Sequence, residues 1–233
     1  MPPAGFERKP ADAYGEYLRD QPLLPHGSPV LLYDGQPAQD QTRHAAVLSI
    51  DVGEDDLQQC ADAALRLRCE FLYSIQNYQA INYHLTNGDQ FPYQKYREGY
   101  RLEVDGNKTQ LVQQAQPSGS YATFRQYLNV LFNYASTRSL YPESEQVPLD
   151  EFKIGDLLLV AGAPGHCIIV MDLCENSDGR KAILLAQSSM PAQQIHILHQ
   201  PEWPSPWLYL DELEFPLKLS TWEYTEENLR RMP

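Results

Sequence analysis

Two apolar runs separated by a tight Gly/Pro break constrain this chain more than any other stretch: GDLLLVAGAPGHCIIVMDL, from Gly155 to Leu173. Asp156 to Ala161 and Cys167 to Leu173 read as strands, and Gly162-Ala163-Pro164-Gly165 reads as the turn between them. A histidine, His166, opens the second run. At a turn-to-strand junction, such a residue is either a core histidine at a strand end or a side chain held at a pocket rim. The partners that the rest of the chain offers decide between these.

More strands follow the pair. Asn176 to Arg180 reads as a turn, Ala182 to Gln187 as a third strand and Gln194 to Leu198 as a fourth. Earlier in the chain, 29–34 and 45–50 also read as strands. Helices dominate the front half. Ala11 to Arg19 is a short one, ended by Pro22 and Pro25. The clearest spans 55–74: Asp55 and Gln58 suggest a capping-box start, and Leu57, Cys60, Ala64, Leu67 and Phe71 recur on one face. Arg66 and Glu70 read as a surface ion pair four residues apart. Ser120 to Tyr134 is a further helix, with Tyr121, Phe124, Tyr127, Leu128, Leu131 and Phe132 on its apolar face, ending in a polar turn at 135–139. Asn87-Gly88 and Asp105-Gly106 mark hairpins and loops in between. The reading is an α+β single domain over residues 1–233, with an antiparallel sheet and with residues 78–150 inserted between the helix and the sheet.

Composition closes off several functions. Of 233 residues, 18 are Lys or Arg and 31 Asp or Glu, a net charge of −13. That surface repels phosphate backbones and shows no basic stripe, which argues against a nucleic-acid partner. No run approaches the roughly 18 consecutive apolar residues of a membrane helix. The N-terminal residues lack the charged head and apolar core of a secretory signal, which points to the cytoplasm if Met1 is the native start. The four cysteines, Cys60, Cys69, Cys167 and Cys174, form no C-x-x-C motif and have no histidine at zinc spacing. They read as free thiols, with no metal site.

A thiol nucleophile needs a base to take its proton, and the base needs a third group to orient it. Papain-like cysteine hydrolases place these on a helix, a strand and the next strand, and this chain repeats that order. Cys60 is the candidate nucleophile, His166 the base and Gln187 the orienter. Gln59, next to Gln58, is a candidate oxyanion donor. No cofactor is required. Tyr93, Tyr96 and Arg101, together with Ser136 after the later helix, form a candidate grip for a peptide or glycan-peptide. Each has a plainer reading: Cys60 as a core thiol, Gln187 as a buried amide, the tyrosines as aromatic packing and Ser136 as a cap. His196 and His199 are three apart in a strand-like pattern, which puts them on opposite faces and argues against a shared metal. Asp156 reads as a turn or capping residue. Two rivals remain open: a papain-like scaffold that binds peptide or glycan without cleaving it, and a His166 that works with a carboxylate and no thiol.

The Gly-Asp…Gly-His segment resembles bacterial cell-wall amidases and endopeptidases of the NlpC and CHAP types, and LQQCADA resembles their Cys-bearing helix start. That resemblance implies a papain-like fold, catalytic Cys60 and His166, Gln187 in the third position, and cell-wall peptide as substrate. The chain departs from it in lacking Asp-Cys-Ser-Gly around Cys60 and in its long separation of Cys60 from His166. A nearly full-length resemblance rests on LQQCADAALRLRCEFLYS, FNYASTRSL, GDLLLVAGAPGHCIIVMDL and LLAQSSMPAQQIHIL. It is to an uncharacterised bacterial family known only as domain of unknown function 4846. It implies a cell-envelope location and no established activity.

Overall fold

The computed structural model describes residues 1–219 and 221–233. In chain order the strands are β1 (Phe6–Arg8), β2 (His44–Val47), β3 (Asn82–His84), β4 (Gln90–Pro92), β5 (Tyr100–Asp105), β6 (Lys108–Gln113), β7 (Glu145–Gln146), β8 (Leu157–Val160), β9 (His166–Asn176), β10 (Lys181–Gln187), β11 (His196–Leu198), β12 (Trp207–Tyr209), β13 (Leu217–Leu219), β14 (Trp222–Tyr224) and β15 (Leu229–Arg231). The helices are α1 (Ala13–Arg19), α2 (Cys60–Ser74), α3 (Tyr93–Arg97), α4 (Tyr121–Tyr134) and α5 (Thr137–Glu143). The architecture is α+β. One nine-stranded sheet runs β2-β11-β10-β9-β8-β15-β7, with β1 beside the far end of β9 and β12 beside β10. Every pairing in it is antiparallel.

The β8–β9 hairpin is the centre. Its register runs from Leu157 opposite Ile169 to Val160 opposite His166. Leu157, Leu159, Cys167, Ile169 and Met171 join one core with α1, α2 and α4. Leu158, Ile168 and Val170 join a second core on the opposite face, with Leu219, Tyr224 and Leu229 of the C-terminal segment. A strand buried on both faces has no polar side to show. This is why the sequence from Leu157 to Met171 is apolar almost without alternation.

Residues 81–96 contribute buried side chains to the helix-side core, while the β5–β6 ribbon that follows is largely exposed. Ile81, Tyr83, Phe91 and Tyr93 pack with Phe124, Tyr127, Leu128 and Leu131 of α4. The hairpin turns expected at Asn87-Gly88 and Asp105-Gly106 close the β3–β4 and β5–β6 ribbons.

Several expectations need correction. The second helix begins at Cys60, not Asp55, with Gln59 as N-cap and Asp62 Oδ2 accepting the Gln59 backbone N–H at 3.1 Å. The carboxylate of Asp56 accepts instead from Ala192 N (2.6 Å) and Gln59 Nε2 (3.2 Å), so a tertiary contact holds residues 55–59 as a turn. Residues 29–34 make only isolated bridges. The turn expected at 135–139 is the start of α5, whose Ser136 Oγ accepts the Arg138 N–H. The strands after residue 206 were not anticipated. Arg66 is no surface residue: it is 2% exposed and donates to Glu70 (2.7 Å), Gln58 Oε1 (3.0 Å), Asp51 (3.3 Å) and the Tyr121 hydroxyl (3.3 Å). Among the described residues, no helix is long and apolar enough to cross a membrane.

Because Arg66 is buried among these acceptors, removing it takes the ion-pair partner from the partly buried Glu70. Arg66→Met is expected to lower unfolding free energy by about 3 kcal/mol, read from urea denaturation midpoints. A change within the error of the wild-type curve would contradict the buried network.

Candidate active site

Gly165 sits where the helix layer meets the start of β9. A β-carbon there would lie 2.2 Å from Thr137 Oγ1, 2.7 Å from the Val160 carbonyl oxygen and 2.8 Å from Gly162 N. Only glycine fits, because the start of α5 presses onto the turn: the Thr137 hydroxyl donates to the Gly162 carbonyl at 3.3 Å. The Pro-Gly turn is therefore a packing requirement that fixes where His166 leaves the backbone.

Cys60 is the first residue of α2 and is 8% exposed. Its thiol donates to the Gly165 carbonyl at 4.0 Å, one residue before His166. This revises the expected position in the second turn: the sulfur is at the helix N-terminus, where backbone N–H groups favour a thiolate. Burial pushes the thiol pKa up, and the backbone N–H groups of Cys167, Ala61 and Cys60 itself act against that. The nearby Asp62 carboxylate adds to the rise.

His166 turns to the other face of the sheet by the alternation of β9. It is 5% exposed, and the Trp222 ring of β14 stacks on it at 5.2 Å with a 9° interplanar angle. Its Nε2 is 2.8 Å from Gln187 Oε1 on β10, the neighbouring strand. An amide oxygen only accepts, so Nε2 carries the proton and Nδ1 keeps the lone pair of a base. Burial lowers the His166 pKa, and the Gln187 bond partly offsets this. Cys60 and His166 thus lie at the same end of β9 but on opposite faces of the sheet, with Gln187 on the His166 side. The bond made by the thiol goes to the backbone of Gly165 and that made by the imidazole goes to Gln187.

Of the remaining candidates, Gln59 directly precedes Cys60 as the N-cap of α2. The amide of Gln59 donates to Asp56 Oδ1, and it is the amide nitrogen of Gln58 that is buried without a partner. Tyr93 and Tyr96 are core residues around Tyr127, at ring distances of 5.1 and 5.7 Å. Arg101 lies 4.0 Å over the Tyr96 ring and donates to the Tyr96 and Tyr100 carbonyls. Ser136 caps α5 and adjoins Thr137 at the turn. None of these four contacts Cys60 or His166. Asp156 accepts the Lys153 N–H and pairs with Arg231. All four cysteines are free and buried.

In the sequence His196 stands out only by its spacing to His199. In the fold it sits on β11 directly opposite Gln187, 3.4 Å from the Gln187 amide nitrogen. Its Nδ1 is 3.0 Å from the Gln194 carbonyl. No sequence signal marks this contact, which depends on cross-strand register. His199 faces Trp203 instead. Among the described residues, no group of three or more His, Cys, Asp or Glu gathers as a metal site would require.

A family described as "Domain of unknown function (4846)" matches residues 1–231, and the chain belongs to that family. No curated protein and no solved structure matches it.

Two outcomes follow from the geometry. Gly165→Ala should cost about 2 kcal/mol of stability by overpacking, seen as a lowered thermal midpoint; an unchanged midpoint would mean the turn relaxes freely. Burial holds the His196 pKa down at about 4, with the neighbouring His44 and His166 adding to the fall. The folded state therefore binds fewer protons than the unfolded state as pH drops from the ordinary histidine value toward 4, and stability falls across that window. His196→Gln should flatten the fall by up to about 3 kcal/mol, measured by urea titrations between pH 7 and 4.

Proposed function

We propose that this member of the family is a cysteine hydrolase of amide or peptide bonds, with Cys60 as nucleophile, His166 as base and Gln187 as orienter on a papain-like scaffold. The observation that carries this reading is the pairing at one end of β9. A thiol on a helix N-terminus touches the residue before a histidine whose Nε2–H is held by an amide oxygen and whose Nδ1 is left as acceptor. The order helix, strand, next strand for Cys, His and Gln matches that of papain-like hydrolases.

In the reaction, His166 Nδ1 takes the Cys60 proton as the sulfur attacks the carbonyl carbon of the substrate. The C–N bond then breaks, and the leaving amine takes the proton from His166. Water, deprotonated by the same imidazole, hydrolyses the thioester and returns the thiol. Gln187 holds the imidazolium in place through its Oε1. In the structure the thiol is on the Gly165 carbonyl within the helix-side core while the imidazole stacks on Trp222 at the opposite face, so the start of β9 must rearrange before sulfur and imidazole meet. The stacked Trp222 ring must also give way for substrate. Cell-wall peptide is the substrate class suggested by the resemblance to NlpC- and CHAP-type enzymes.

A non-catalytic peptide- or glycan-binding module is favoured by one observation, the buried thiol raised by desolvation and bonded to a carbonyl. Iodoacetamide labelling followed by mass spectrometry separates the two readings. A hydrolase predicts that Cys60 alkylation at pH 7 slows by about tenfold or more in His166→Ala, the loss of an activating base. Hydrolysis of cell-wall peptides should disappear in Cys60→Ala with the fold intact. Labelling that ignores His166, or turnover that survives Cys60→Ala, sinks the nucleophile assignment.

A further inference from the structure

The hydrogen bonds behind His166 have a direction. Gln194 offers a backbone carbonyl, which can only accept, so His196 Nδ1 must donate to it at 3.0 Å. A neutral His196 then presents Nε2 as a lone pair. That lone pair meets the Gln187 amide nitrogen, which can only donate, at 3.4 Å. The Gln187 amide is thereby locked in one of its two flips, with Oε1 turned to His166 Nε2 at 2.8 Å. With the flip free, the amide could equally offer its NH2 to His166, which would place the proton on Nδ1 and remove the base.

We propose that His196 is a positioning residue whose neutral ring, anchored on the Gln194 carbonyl, sets the flip of Gln187 and so decides which nitrogen of His166 carries its proton. The inference rests on the reading of His166 as the base. The chain of donors exists whether or not Cys60 is a nucleophile. All three side chains are buried, at 4%, 7% and 5% exposure for His196, Gln187 and His166, so water is poorly placed to substitute for a lost partner. The His196 ring is met edge-on by His44 of β2 at 6.2 Å, and His44 is itself tied through Nε2 to the Ser28 carbonyl at 3.1 Å. Burial first, and then the neighbouring imidazoles of His44 and His166, favour the neutral ring that the lock requires.

Nitrogen-15 spectra of histidine-labelled protein read the tautomers without any substrate. In the full chain at neutral pH, His166 should show the Nε2–H form alone and His196 the Nδ1–H form alone. His196→Phe removes the acceptor for Gln187, and His166 should become a mixture of tautomers, with Cys60 alkylation slowed about tenfold as for a lost buried hydrogen bond. His196→Gln can donate to Gln194 and accept from Gln187, and should keep both the His166 tautomer and the labelling rate. The proposal is overturned if wild-type His196 carries its proton on Nε2, or if His166 keeps a single Nε2–H form in His196→Phe. Should His196→Phe fail to fold, the wild-type His196 tautomer and the His196→Gln variant still decide it. Correct tautomers without hydrolysis would remove the hydrolase reading and leave this one standing. Hydrolysis with a wrong His196 tautomer would do the reverse.

Discussion

The burial of both faces of the β8–β9 hairpin is the constraint on which the rest of this structure depends. A sheet with one dry face can be covered by helices alone. Here α1, α2 and α4 cover one side and the β13–β14 ribbon covers the other. The hairpin therefore has to be made almost entirely of aliphatic residues, and any polar side chain it carries must find its partner inside the protein. His166 does so at the first position of β9, taking Gln187 as a hydrogen-bond partner and Trp222 as a stacking partner.

The same burial shapes the chemistry of the candidate site. Desolvation raises the thiol of Cys60 and lowers the imidazole of His166, so burial favours the neutral form of both groups. Neutral groups in a dry site are ordered by hydrogen-bond direction rather than by charge. That makes donor and acceptor identity decisive: the carbonyl of Gln194, the two nitrogens of His196 and the two ends of the Gln187 amide form a one-way sequence. The helix N-terminus under Cys60 is the opposing influence, since its amides favour negative charge on sulfur once a proton acceptor is in reach.

Local patterning was enough to find the elements whose residues follow a simple period. The apolar face of α4 was legible, because Phe124, Tyr127, Leu128 and Leu131 repeat at helical spacing within a fourteen-residue helix. The strands of the central hairpin were legible from their aliphatic content and from the Gly/Pro break. The start of α2 was not: Asp55 and Gln58 have the look of a capping box, yet Asp56 is taken by the backbone of Ala192, more than a hundred residues away. The burial of Arg66 was hidden for a similar reason, since Asp51 and Tyr121 come to it from other elements. For Tyr93 and Tyr96 a binding grip and plain aromatic packing stay open in the sequence, because an aromatic, basic cluster looks the same there whether it faces solvent or a core.

What the sequence by itself determined is the class of fold and the chain order of a thiol, an imidazole and an amide, because period and turn chemistry are local properties. The family membership follows from the same string. Only the tertiary structure decided that Cys60 is the first residue of its helix, that its sulfur rests on Gly165, and that His196 stands behind Gln187. These depend on cross-strand register and on the packing of α5 against the turn at Gly162 and Gly165. Register and packing are set by the sum of contacts over both cores, and no short stretch of sequence contains that sum.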